Sequence, residues 1–278
     1  MEKIQFSLLL KIIGLGSASG LIYHDNTIVG IGDNSTYLYE YHMDDHKLEK
    51  HPLAVISQEA TPKEFKSDFE AITQYQDSIY IFGSGSTEKR NKMLKVDAKT
   101  KKVISTTDLS DLYFSLQSFG EIKPEDFNIE GAIYNGNTWY LFNRGNGKTN
   151  QNVLFTVDGK NLTNEYRVVV NNYKLPKIKG VRTSFTDAVL VEDKIYFLAT
   201  AEDTASTYED GEILGSVIGR IDLKTMKIDF TKQITDTHKL EGITLYHKSD
   251  EAIEFLLCED NDTEVLESNI YKLKILGL

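Results

Sequence analysis

The chain has 278 residues, a net charge of −11 and a pI near 5.1. No dense Lys/Arg cluster interrupts that acidity, which excludes a protein that grips a nucleic-acid backbone. A single cysteine, Cys258, excludes an internal disulfide and a cysteine-based metal site and points to a reducing, cytoplasmic compartment.

In chain order, the first segment to read is Phe6–Gly16, followed by Ser17-Ala18-Ser19. It imitates a secretory leader, but Lys11 breaks the apolar run. No stretch reaches the ~20 apolar residues that a membrane helix needs, so no membrane partner is expected. Gln5–Ile13 instead reads as a strand.

Five look-alike segments follow: Ser19-Gly-Leu-Ile-Tyr23, Glu70-Ala-Ile-Thr-Gln74, Glu130-Gly-Ala-Ile-Tyr134, Asp187-Ala-Val-Leu-Val191 and Glu241-Gly-Ile-Thr-Leu245. Each opens on Ser, Glu or Asp, continues with Gly or Ala, and becomes β-prone. A turn comes next: Asp25-Asn26, Gln76-Asp77-Ser78, Asn135-Gly136-Asn137, Glu192-Asp193 or Lys248-Ser249-Asp250. A second strand then runs into a polar cluster containing Asp33, Ser84, Arg144, Glu202 or Glu259-Asp260. The openings lie 51, 60, 57 and 54 residues apart. Such periods fit four-stranded propeller blades.

Third and fourth strands are readable at Tyr37–His42 and Leu48–Ile56, and at Ser216–Asp222 and Met226–Ile234. The last repeat runs out of chain after one more strand, and the spare strand at the N-terminus fills the gap. The expected fold is all-β: one five-bladed β-propeller domain over residues 1–278, with residues 3–13 closing the last blade. Glu59–Ser67, Asp108–Phe127 and Thr204–Leu214 read as insertions, with a short helix expected over Asp108–Glu121.

In a propeller the innermost strand of each blade lines the axial channel. Its start and the end of the second strand share one mouth, because one hairpin joins them. Ser19, Glu70, Glu130, Asp187 and Glu241 are therefore expected around the axis, with Asp33, Arg144, Glu202, Glu259 and Asp260 at the mouth. Confined carboxylates repel one another and are costly to desolvate. Shared protons, basic partners or a bound cation would each relieve this. Oxygen ligands without a recurring His favour Ca²⁺, or Mg²⁺, over Zn²⁺ or a redox metal. A site without metal is the alternative, in which the acids accept backbone N–H bonds.

Two functions fit that site. A metal-dependent hydrolase of phosphate or carboxylate esters would use Arg144, with Arg182, to hold an anionic group and Asp33 or Glu202 as base. A non-catalytic propeller would bind a small ligand or a protein at the mouth around a structural cation.

At these residues the chain resembles the calcium-activated nucleotidases (apyrases), five-bladed propellers with Ser or Glu around an axial Ca²⁺. Ser19 stands where that family has Ser, Glu70, Glu130 and Glu241 where it has Glu, and Asp187 where it has Ser. Arg144 matches a basic stretch and Asp33 an acidic one. The long basic loops that hold nucleotide in that family are not recognisable here. The Glu-Gly-Ile strands also look like those of esterase-like phytase and SdiA-regulated propellers and of calcium-dependent lactonases. The overall pattern is closest to bacterial propellers of unknown function.

Overall fold

The computed structural model describes residues 3–61, 66–164, 166–204, 211–260 and 265–277. The sequence insertions at 59–67 and 204–214 lie partly outside these. Among the described residues no helix is long and apolar enough to cross a membrane.

The chain forms five four-stranded antiparallel sheets. After β1 (Lys3–Ile13), blade one is β2 (Ala18–His24), β3 (Thr27–Gly32), β4 (Tyr37–His42) and β5 (Lys47–Pro52). Blade two is β6 (Phe69–Tyr75), β7 (Ser78–Gly83), β8 (Lys92–Asp97) and β9 (Val103–Asp108). The helix α1 (Ser110–Gly120) leads to blade three: β10 (Ile129–Tyr134), β11 (Thr138–Asn143), β12 (Asn152–Asp158) and β13 (Arg167–Tyr173). A short ribbon, β14 (Lys177–Ile178) and β15 (Val181–Arg182), precedes blade four, which is β16 (Ser184–Val191), β17 (Lys194–Asp203), β18 (Glu212–Asp222) and β19 (Lys227–Thr235). Blade five is β20 (Leu240–Lys248), β21 (Ala252–Glu259) and β22 (Glu267–Leu276), completed by β1.

The ring thus closes as expected. β1 runs antiparallel to β22, from Lys3 opposite Leu276 to Ile13 opposite Glu267. The hairpin between β2 and β3 has Asp25 and Asn26 both at positive φ (45° and 59°). That is the turn whose twist suits a two-residue connection, and Asn and Asp tolerate it best. Gly136, at φ 99°, caps the corresponding turn in blade three, where a Cβ would lie 2.4 Å from the Tyr75 hydroxyl.

Strand alternation sends apolar side chains into the gaps between blades. Five buried clusters result, one per gap. Phe69, Ile72 and Ile81 meet Val29, Ile31 and Leu38 between blades one and two. Phe185 and Phe197 meet Phe142 and Leu154 between three and four. Cys258 packs in the gap that returns to blade one, beside Leu256, Ile270 and Leu21. Between blades two and three the gap also takes Leu112, Tyr113 and Leu116 of α1. Tyr113 anchors that helix by donating its hydroxyl to the Gly83 carbonyl (2.9 Å).

The inner strands β2, β6, β10, β16 and β20 touch one another in ring order, which brings the start of each to a common axis. Gly242 lies at this crowding: a Cβ there would come within 3.0 Å of the Gly20 Cα and 2.5 Å of Leu21.

Candidate functional site

Every inner strand breaks register at its start. Ala18 pairs with Gly32 but Gly20 with Ile31, Phe69 with Gly83 but Ala71 with Phe82, and Ile129 with Asn143 but Gly131 with Phe142. The same skip occurs between Leu240 and Gly242. The skipped residues are Ser19, Glu70, Glu130 and Glu241, each set on a β-bulge. Bulges of this kind re-aim a side chain at the end of a sheet.

Blade four departs from the sequence reading. There the skip falls between Phe185 and Asp187, so the bulged residue is Thr186. Asp187 occupies the slot that Gly or Ala holds in the other blades. Its Oδ2 accepts the Ile243 backbone N–H of blade five (2.8 Å), and its Oδ1 has no partner among the described residues. Burial pushes the Asp187 carboxyl well above its usual range, against that N–H contact. Asp187 is thus bonded to backbone and does not join the three glutamates whose carboxylates converge.

The two hydroxyl members tie neighbouring blades. Ser19 Oγ donates to the Phe69 carbonyl (2.6 Å), and Thr186 Oγ1 to the Leu240 carbonyl (2.7 Å). The three acidic members converge: one carboxylate oxygen each from Glu70, Glu130 and Glu241 lies within 4.8 Å of the others. Asp33 and Asp68 form a second such group with Glu70.

Cations answer most of this negative charge. Arg144 is 5% exposed and makes contacts to three blades. Its guanidinium donates to Glu202 Oε2 (2.7 Å), Glu130 Oε1 (3.3 Å) and Glu241 Oε1 (3.3 Å). Lys66 bridges Asp33 (2.5 Å) and Asp68 (2.8 Å), Arg90 holds Asp68 (2.8 Å), and Lys239 lies between Asp260 (2.9 Å) and Glu241 (3.4 Å). Burial alone would push the Arg144 guanidinium down, but Glu130, Glu202 and Glu241 outweigh it. The sequence reading set Arg144 on the surface of the mouth. The structure buries it, because acids of blades three, four and five all point to it.

Glu202 and Asp33 are likewise engaged. Glu202 accepts Arg144 on one oxygen and the Gly211 backbone N–H (2.8 Å) on the other. Arg182 stands on the separate β15 ribbon. Glu259 turns away from the axial glutamates to His238 (2.5 Å) and the Tyr271 hydroxyl (2.7 Å).

Glu70 is the exception. It is 8% exposed, yet its carboxylate has no hydrogen bond or ion pair among the described residues. Burial, together with Asp68, Glu130 and Asp33, pushes its carboxyl well above the usual glutamate range, with Lys66 opposing. Burial also pushes Glu241 up to about 8, with Asp260 and Glu130 helping and Lys239 and Arg144 opposing.

The raised values carry a pH dependence. The folded chain holds the Glu241 proton more tightly than the unfolded chain, whose glutamate titrates near 4.5. Stability is therefore lost as pH rises from about 4.5 to about 8, and Glu70, Glu130 and Asp187 act in the same direction. In EDTA, urea unfolding should show a loss of several kcal/mol across that window, on the order of 5 kcal/mol from Glu241 alone. Glu241→Gln should make it shallower, with Glu70, Glu130 and Asp187 supplying the remainder, and an unchanged slope in that variant would contradict the assignment.

A family model described as a family of unknown function, DUF6929, matches residues 14–275. The chain belongs to this family. A search of curated proteins finds no match. Among solved structures, glutaminyl cyclase from Myxococcus xanthus is similar, with a TM-score of 0.57 and 11% identity over 98% of this chain and 97% of that one. A luciferin-regenerating enzyme gives a TM-score of 0.50 and 9% identity over 99% and 96%. Likeness at such identity shows the fold alone.

In this DUF6929 chain the sequence reading missed Lys66, Asp68, Thr186 and Lys239. A signal existed for two of them. The position two before the ring residue is polar or charged in blades two, three and five. Asp68 and Lys239 stand there, as does Asn128, which donates its side-chain amide to Glu130 (2.6 Å). A repeated backbone bond fixes this layer: Ser84 N to Asp68 O, Arg144 N to Asn128 O, and Asp260 N to Lys239 O.

Proposed function

We propose that this propeller is a cation-binding module, holding a divalent ion of the Ca²⁺ type on Glu70, Glu130 and Glu241 at one end of its channel. The observation that carries the reading is Glu70. A buried carboxylate without a donor, aimed at two other carboxylates, is costly unless it is protonated or meets a cation. Arg144, Lys239 and Lys66 offset part of the surrounding charge, and Lys66 acts on Glu70 from nearby, but none of the three is paired with it among the described residues. Three carboxylates leave several positions of a Ca²⁺ shell, typically 6–8 oxygens, to water or to an oxygen-bearing small ligand. Mg²⁺ demands a stricter octahedron and suits three side chains from different blades less well.

The state of the other residues favours binding over hydrolysis. An anion holder must reach its ligand with free donors, whereas Arg144 is buried and gives both terminal nitrogens to carboxylates, leaving only its buried Nε without a partner. A general base must reach its substrate, whereas Glu202 is held by Arg144 and Asp33 by Lys66 on Oδ2, its Oδ1 being buried. Nucleoside diphosphates, aryl esters and lactones should therefore not be turned over, with or without Ca²⁺.

The test is thermal melting after EDTA treatment, followed by Ca²⁺. A ligand that binds only the folded state adds about 2.7 kcal/mol at a hundredfold excess over Kd. For a chain of this size that raises the midpoint by roughly 5–10 °C. No shift with Ca²⁺ or Mg²⁺, and no metal by elemental analysis, would overturn the proposal.

A further inference from the structure

A cavity of about 670 Å³ opens between the outer parts of blades one and two, away from the acidic ring. Its walls are apolar: Leu53, Ala54 and Val55 after β5, Phe69 of β6, Leu94 of β8 and Val103 of β9. That volume falls within the usual range for small-molecule sites, and so does a mainly apolar lining with a few polar groups. The polar groups here are unusual in sign. Lys92, Lys101, Lys102 and His51 line the cavity, and no carboxylate does so among the described residues.

Two of these groups are already answered. Glu40, behind the wall, takes Lys101 (2.6 Å) on one oxygen and His51 (3.0 Å) on the other. Lys92 is not answered. Its ammonium donates to the Ser67 hydroxyl (3.0 Å) and lies 5.4 Å from the centre of the Phe69 ring. An ammonium has three donors, and among the described residues no acid approaches this one. Burial pushes the Lys92 ammonium below its usual range, as expected for a half-buried cation without a counter-charge.

We propose that this cavity binds a small apolar molecule carrying one acidic head group, the head on Lys92 and Ser67 and the apolar body along Phe69, Leu94 and Leu53. An anionic head would supply the missing counter-charge in a partly desolvated place, where a charge-assisted hydrogen bond is strongest. Val55, exposed at the rim, extends the apolar wall for a longer body. The cavity is separate from the channel: Ser67 and Phe69 line the cavity, while Asp68 and Glu70 belong to the acidic group with Asp33.

Decanoate and 1-decanol make a suitable pair of probes, because they share a tail and differ in the charge of the head. Calorimetric titration should give saturable binding of one decanoate per chain, at least ~10-fold tighter than 1-decanol. Lys92→Met keeps an apolar stem of similar length. It should bring decanoate down to the affinity of the alcohol, while the melting midpoint and the response to Ca²⁺ stay as in the parent. Val103→Trp, which fills the cavity, should weaken both probes. Absence of saturable decanoate binding to the parent, or unchanged decanoate affinity in Lys92→Met, would overturn the proposal and leave the cation site untouched.

Discussion

Arg144→Ala should destabilise the propeller by about 3–5 kcal/mol, the usual cost of removing one partner from a buried ion pair. The substitution leaves Glu130, Glu202 and Glu241 in a buried place without the guanidinium they share. It also unfastens three blades at once. The loss should be smaller below about pH 6, where the glutamates relieve their repulsion by taking up protons. Arg144→Lys should recover only part of the stability, since one ammonium cannot fork toward carboxylates on separate blades. Urea unfolding at neutral pH measures this directly. A change under about 1 kcal/mol, the size expected of an exposed residue, would show that Arg144 is free at the mouth after all.

Removing residues 3–13 should prevent the ring from closing. Without β1 the long strand β22 becomes an open edge, and open apolar edges pair with other chains. Ile12 would be lost from the buried gap between blades five and one, and Phe6 from its stack on Tyr271 (4.8 Å between ring centres). Whole-domain stabilities are only about 5–15 kcal/mol, so losing an entire strand should consume most of that margin. The truncated chain is expected to be insoluble or to lack a cooperative melt. A soluble truncation melting within a few degrees of the parent would contradict the role of β1.

Both expectations rest on features that were unequally legible in the sequence. Blade number and ring closure could be read because each hairpin carries its own local signals. Asp25-Asn26 and Asn135-Gly136 mark turns, and the polar-small-apolar opening recurs five times. The ring residues could be read in four blades for the same reason. In blade four, Thr186-Asp187 offers two polar residues in succession, and the acid matches the repeat better by type. The bulge nevertheless selects Thr186, which donates to Leu240, while Asp187 reaches across to the backbone of Ile243. A one-residue slip on a strand turns a side chain to the other face, and nothing local in the sequence marks where the bulge falls.

The position of Arg144 was legible, but its burial was not. That depends on Glu202 and Glu241, which lie 58 and 97 residues further along the chain. Lys66 was hidden for a related reason: it precedes β6 in a loop with no repeat pattern. Its pairing with Asp33 of the preceding blade exists only once the blades stand side by side.

The cation site is tested most directly by calorimetric titration of Ca²⁺ into the EDTA-treated parent and into Glu70→Gln. Glu70 makes no contact that glutamine would break, and a neutral amide removes the cost of burying a charge. The metal-free variant should therefore melt no lower than the metal-free parent. Its Ca²⁺ affinity should nonetheless fall by at least ~10-fold, because one of three carboxylate ligands no longer carries charge. A parent that binds no Ca²⁺, or a Glu70→Gln variant that binds it as tightly as the parent, would contradict the assignment of Glu70, Glu130 and Glu241 as ligands.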